Sequence, residues 1–393
     1  MKKKLLFTLL LTGIFILSGC GKVGENDVIK DLTKKINDSK AYYIEGILEI
    51  VNNEDVYTYD VKVSYKEGDN YKVDLTNTIN NHEQIILRNS DGVYVITPRI
   101  NKSFKFQSDW PYNNSQVYLL GPLMDDIKND ENRTFEETKD GYKITVAANY
   151  PNNQKLVKQE ILIDKKMNIK KVTVLDKDGN AQITMKFEKI DMKSKFKDNY
   201  FDLKEIVDVK EENTTIEQKK ELKDNTTREN SNKETTNENT NTNNNTNTTN
   251  ENTNTNENNN INENTNTNTN ENNKKTEQTS SIEDVIYPMY IPTNTYLSNK
   301  EKVNKEDGER LILTFDGDNP FMLIEETVTY EEEHLIIPTY GDLELMASTV
   351  AIVNDNSVNW IDNNIEYYVV SDKLSKNELL DIARSISVLP VSK

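Results

Sequence analysis

One cysteine and two histidines stand among 393 residues, and the 48 basic residues are outnumbered by 66 acidic ones. Each scarcity removes a class of function. A lone thiol makes no internal disulfide, and without a second Cys or His at ligand spacing a zinc site has no donors. His82 and His334 stand far apart in the chain and read as exposed loop residues. A formal net charge of −18 leaves nothing to neutralise a phosphate backbone, so nucleic acid is excluded as a partner. The same charge opposes attraction to anionic lipid by the protein's own surface. Neither a G-x-S-x-G nor a P-loop occurs. Asp316-Gly317-Asp318-Asn319 opens like a calcium loop but lacks the Gly at its sixth position and the Glu at its twelfth, and so reads as a hairpin turn. The acidic runs Glu325-Glu326 and Glu331–Glu333 read as solvated faces. The expectation is a protein that is not an enzyme, with no metal and no cofactor.

A second absence is regional. NENTNTNNNTNTTNENTNTNENNN, residues 237–260, holds no apolar and no aromatic residue. Such a stretch cannot bury surface to offset the entropy of ordering its backbone. Asn, Thr, Glu and Lys dominate over residues 206–281, which read as a disordered linker. As a coil of ~70 residues it would span roughly 45–50 Å, enough to let a second domain range away from the first. The hydrophobic fraction of 35% fits folded parts diluted by such a segment.

Only the N-terminus carries a long apolar run. Lys2–Lys4 form a basic start, Leu5–Leu17 an apolar stretch, and Leu17-Ser18-Gly19-Cys20 matches a bacterial lipobox. The run is short for a bilayer span. Residues 1–19 therefore read as a lipoprotein signal peptide and residues 20–25 as a lipidated tether. Cys20 would carry the diacylglyceryl group and, as the mature N-terminus, hold the protein on the outer face of the cell membrane.

Residues 26–205 read as one domain. Asn26 or Asp27 would cap a helix over 26–39 with Ile29, Leu32 and Ile36 on one face. Tyr57, Tyr59, Val61, Val63 and Tyr65 alternate with polar residues, as a half-buried strand requires. Asn89-Ser90-Asp91-Gly92 and the DKDGN of 176–180 mark hairpins. Residues 114–129 read as a helix over the sheet, and the remaining outer face as polar. Trp110-Pro111-Tyr112 is either an exposed aromatic site or a corner of the core. Residues 282–393 read as a small α+β domain, opened by the stiff lead-in YPMYIP and closed by a helix with the capping box Ser375–Glu378.

A lipobox, a helix and a meander containing NSDGVYVITPRINKSFKFQSDWPYNNSQVYLLGPL and EILIDKKMNIKKVTVLDKDGNAQITMKFEKID resemble the LolA/RseB superfamily. The likeness is greatest to its Gram-positive sporulation and germination lipoproteins, the GerS type included. The resemblance implies an α+β fold: a curved antiparallel sheet forming an incomplete barrel, with helices on its concave side. RseB types also carry a small second domain, whereas the GerS type lacks one. An anchored chain cannot be a free shuttle between membranes, so two of the family's roles remain. One is to bind and regulate or scaffold an envelope protein, which predicts a concave face filled by the protein's own helices and an exposed aromatic or edge-strand patch. The other is to hold a lipid, acyl chain or lipoprotein in an open cavity lined by residues such as Ile44, Leu48, Val61 and Ile163. Trp110 and Tyr112 complete the candidate face.

Overall fold

The structure, a computed structural model, describes residues 23–207 and 281–386 except 54, 113, 283 and 332. Cys20 with its lipobox, and nearly all of the Asn-rich segment, lie outside the described residues.

Helix α1 (Glu25–Asn37) opens the described chain. Its buried stripe is Val28, Leu32 and Ile36, one position off the expected start at Ile29. Neither Asn26 nor Asp27 caps it: Gly24 is the N-cap and offers no side-chain bond. Glu25 and Asp27 in the first turn and Lys34 and Lys35 in the last suit the helix dipole instead. Six strands then follow as an antiparallel meander: β1 (Ala41–Asn52), β2 (Asp55–Lys66), β3 (Asn70–Asn77), β4 (Glu83–Asn89), β5 (Gly92–Thr97) and β6 (Lys102–Phe106). Helix α2 (Leu120–Asn129) starts later than the predicted 114, and Leu120, Leu123, Met124 and Ile127 are buried. Five more strands complete the half: β7 (Thr134–Glu137), β8 (Gly141–Ala147), β9 (Leu156–Asp164), β10 (Ile169–Asp176) and β11 (Ala181–Asp191). β11 returns to pair with β1. Both predicted hairpins form, with Asn89 opposite Gly92 and Leu175 opposite Ala181.

The sheet bends where β1 shifts register between Glu45 and Gly46. A Cβ at Gly46 would meet the Lys186 carbonyl oxygen at 2.2 Å, so no side chain fits at the bulge. The inward residues of the strands and the buried faces of α1 and α2 form one core. The outer face is less polar than expected. Residues 196–207, ending in the short α3 (Leu203–Ile206), pack Phe201 and Val207 on Ile85, Leu87, Tyr94 and Ile96.

The C-terminal part builds a second sheet from β12 (Thr295–Lys305), β13 (Gly308–Gly317), β14 (Phe321–Thr327), β16 (Asp342–Leu345), β17 (Val350–Val353), β18 (Ser357–Asp362) and β19 (Ile365–Val370). Helix α4 (Lys376–Arg384) covers one face, and its capping box is present. Between β14 and β16 the chain leaves this sheet. β15 (Leu335–Thr339) pairs in parallel with β6 and becomes the twelfth strand of the first sheet. The order is β15-β6-β5-β4-β3-β2-β1-β11-β10-β9-β8-β7, open at β15 and β7, so the barrel is incomplete. The fold is α+β and strand-rich.

The second domain is therefore docked, not ranging free of the first as the linker suggested. Val328, Leu343, Val350, Ile352 and Ile361 belong to the core of the first sheet. Neither histidine is exposed, and His334 is part of this docking. His334 is buried, with ring nitrogens 2.6 Å from Ser103 Oγ and 2.9 Å from Asn101 Oδ1. His82 is buried too, and burial, reinforced by the charge of Arg99, pushes its pKa down to about 4.

Candidate binding surface

Ile44, Leu48, Val61 and Ile163 lie together on the concave face, with 0%, 0%, 1% and 2% exposure. They share one core with Leu32 of α1 and Leu120 and Leu123 of α2. Among the described residues, the gap beside Leu32, Ile36, Leu120 and Ile169 measures about 10 Å³. That volume holds at most about one water, against roughly 300–1,000 Å³ for a small-molecule site. The helices fill this face because each presents apolar residues at i, i+3, i+4 or i+7 to strands whose inward positions are also apolar.

The Trp110-Pro111-Tyr112 corner divides. Trp110 is fully buried, edge-on to Tyr71 at 5.9 Å, and its carbonyl accepts from Arg88 Nη1. It is a core residue. Tyr112 is half exposed, donates to Asp69 Oδ1 at 2.8 Å, and lies under the Arg88 guanidinium at 5.6 Å. Tyr42, Tyr65 and Tyr71 continue the aromatic row inward, at 4.7 and 4.9 Å between ring centres. Several of the plentiful tyrosines are thus cross-strand stabilisers.

The exposed apolar surface lies elsewhere. Tyr287, Met289, Tyr290, Ile291, Tyr296 and Leu297 are exposed large apolar side chains within one eleven-residue stretch. The last two begin β12, an edge strand exposed along nearly its whole length. Charged residues such as Lys300, Glu301, Lys302 and Lys305 blunt the later part of that edge, as edge strands require. The Tyr296–Leu297 end lacks such protection. The sequence signal was YPMYIP itself: aromatic and branched residues between prolines, with no period to hide them. It reads equally as a stiff lead-in, and the exposure becomes visible only in the fold.

Buried acids in the same half are structural. Glu325 is 1% exposed and accepts from the Ile286 N–H at 3.2 Å, and burial pushes its pKa up to about 7. Glu344 is ion-paired to Arg384 at 2.8 Å.

The family model described as "Sporulation protein YdcC-like" matches residues 1–201. "Sporulation protein YdcC" of Bacillus subtilis (strain 168) is 28% identical over 384 residues, covering 97% of this chain and 96% of that protein. Among solved structures, the Pseudomonas aeruginosa MucA/MucB complex aligns at 9% identity and a TM-score of 0.28, over 93% of this chain and 99% of that one. The Clostridioides difficile CwlD amidase in complex with the GerS lipoprotein aligns at 19% identity and a TM-score of 0.21, over 44% of this chain and 96% of that one. With the family model spanning half of its length, this chain belongs to the YdcC-like sporulation protein family.

Proposed function

We infer that this protein is an extracytoplasmic lipoprotein, anchored through Cys20 to the outer face of the cell membrane, that binds and regulates or scaffolds an envelope protein during sporulation. It takes no cofactor and performs no chemistry of its own. One observation carries the reading. Under the helices, where Ile44, Leu48, Val61 and Ile163 are buried, the gap beside Leu32 and Leu120 is only about 10 Å³, while apolar side chains from Tyr287 to Leu297 face outward beside an open strand edge. Exposed aromatic clusters of this kind mark protein interfaces, and a free edge accepts a partner's strand.

The test is native mass spectrometry of the full chain extracted gently from membranes of sporulating cells. The expected result is a bound mass of protein size that disappears in a Met289→Asp/Tyr296→Asp double variant whose unfolding midpoint is unchanged. A lipid-sized adduct without a protein would overturn the reading in favour of lipid or lipoprotein binding. Separately, Cys20→Ser should move the protein from the membrane fraction to the medium, and retention on the membrane would refute the lipid anchor.

A further inference from the structure

Where the second domain docks on the first, a cleft of about 450 Å³ remains, within the size range of small-ligand sites. One wall comes from the end of β1, residues 114–118 and residues 150–156. The other comes from Tyr290, residues 344–347 and the C-terminal end of α4. The lining chemistry is unusual for this protein. Six carboxamides face it: Asn52, Asn53, Asn114, Gln116, Asn153 and Gln182. Every charge on its walls is already engaged. Arg384 pairs with Glu344 at 2.8 Å, and Lys155 with Asp381 at 3.8 Å. The Arg384 guanidinium also donates to the Asn152 carbonyl, at 3.2 and 3.1 Å. A phosphate or carboxylate would find Arg384 committed and only the loosely paired, exposed Lys155 to meet it. Each of Asn52, Gln116 and Gln182 spends an N–H on a protein acceptor, on the Arg384 carbonyl, Asn114 Oδ1 and Asp176 Oδ2 respectively, but their carbonyl oxygens face the cleft, and an acyl chain would cover them unpaired at about 1–3 kcal/mol for each one buried.

A peptide strand would have only the four-residue edge of β16 to add to here. Peptides gain affinity by adding to an open sheet edge. β1 is paired on both sides, to β2 and β11, and β11 is paired to β1 and β10. Beyond β16, the Ala347 carbonyl accepts from Tyr59 Oη at 2.8 Å. Recognition is thus left to side chains that both donate and accept, together with tyrosine rings. Tyr290, 44% exposed, offers a flat apolar face with a polar tip. Tyr118, also on the wall, is 1% exposed, and its hydroxyl has no hydrogen-bond partner among the described residues. A ligand oxygen would supply one.

We propose that this cleft is a binding site for a neutral oligosaccharide, held by carboxamides to its hydroxyl or acetamido groups and by Tyr290 against a sugar face. The cleft shares Tyr290 with the proposed protein-binding surface, but its carboxamides and Tyr118 lie outside that surface, so Tyr118→Phe and Gln182→Ala test the cleft alone.

The experiment is calorimetric titration of the full chain with tetra-N-acetylchitotetraose and with maltotetraose. Saturable binding of at least one, with a Kd of about 1 mM or tighter, is expected. Because the ligand is uncharged, affinity should change less than twofold between about 0.05 and 0.5 M salt. Tyr118→Phe, which keeps the ring, and Gln182→Ala should each weaken binding by roughly 10-fold or more while leaving the unfolding midpoint within error. No saturable binding of either sugar overturns the proposal. So does binding that both variants leave intact, which would place the sugar elsewhere. Displacement of bound sugar by neutral peptides but not by a second sugar would overturn the assignment of ligand class.

Discussion

The side-chain oxygen of Gln84 in β4 accepts a hydrogen bond from the backbone N–H of Val350 in β17 at 2.7 Å. The same oxygen accepts from Thr349 Oγ1 at 3.0 Å. Gln84 and Thr349 are both buried, so this pair fastens the C-terminal sheet to the N-terminal one in a place water does not reach. Replacing Gln84 by Met keeps the volume and strands the Val350 N–H. The expected loss is about 1–3 kcal/mol, read as a lower urea midpoint, with faster hydrogen exchange at Val350. Unchanged protection at that amide would mean that the latch is ornamental.

Arg384 and Glu344 form the second fastening. Burial raises the Glu344 pKa, and the nearby Arg384 charge works against that rise. Arg384→Met leaves the carboxylate without its counter-charge, and such single truncations destabilise by about 3–5 kcal/mol. Adding Glu344→Gln should recover most of the loss, because the uncompensated charge is then gone. In the single variant the destabilisation should shrink as pH falls, since protonating Glu344 removes the buried charge. A double-mutant cycle by urea unfolding at pH 8 and pH 5 checks both statements.

Glu325 makes a prediction of definite sign. Its pKa is raised from 4.5 to about 7 by burial, so between these values the folded state binds more protons than the unfolded chain. Stability contributed through Glu325 is therefore fully present below about pH 4.5 and lost as pH rises through 7. Glu325→Gln retains an acceptor for the Ile286 N–H without the charge. It should stabilise by on the order of 1–2 kcal/mol at pH 8 and have little effect at pH 5. Thermal unfolding at the two pH values decides, and an equal effect at both would refute the assignment.

Val61 distinguishes core from ligand wall. It is 1% exposed and packed within the main core. Val61→Asp buries an unpaired charge and should abolish cooperative unfolding in circular dichroism, a loss of about 4 kcal/mol or more. A variant that stays folded but loses a bound lipid would restore the lipid-binding reading.

Much of the fold can be read directly along the chain. The alternation from Tyr57 to Tyr65, the turn chemistry at Asn89–Gly92, and the Ser375–Glu378 box each involve residues a few positions apart. Periodicity and capping are local, so the sequence displays them. The start of α1 shows how far that legibility goes. Asn26 and Asp27 are good caps by type, yet the helix begins early enough to place them inside it, because burying Val28 as well as Leu32 sets its rotation and start. The candidate site was less legible. Trp110 and Tyr112 are two residues apart and similar in type, yet one is fully buried and the other half exposed.

By itself the sequence displayed the lipobox pattern before Cys20, the Asn- and Thr-rich polar middle segment and the strand-rich character of both halves. Those follow from composition and short-range pattern. Only the tertiary structure decided that β15 joins a sheet built more than 200 residues earlier, that both histidines are buried, and that the concave face is filled beneath the two helices. The reason is that burial depends on what distant segments bring. A histidine or glutamine looks solvated until a partner donor from another part of the chain removes the need for water. A row of apolar strand residues looks like a cavity until the helices that cover it are placed.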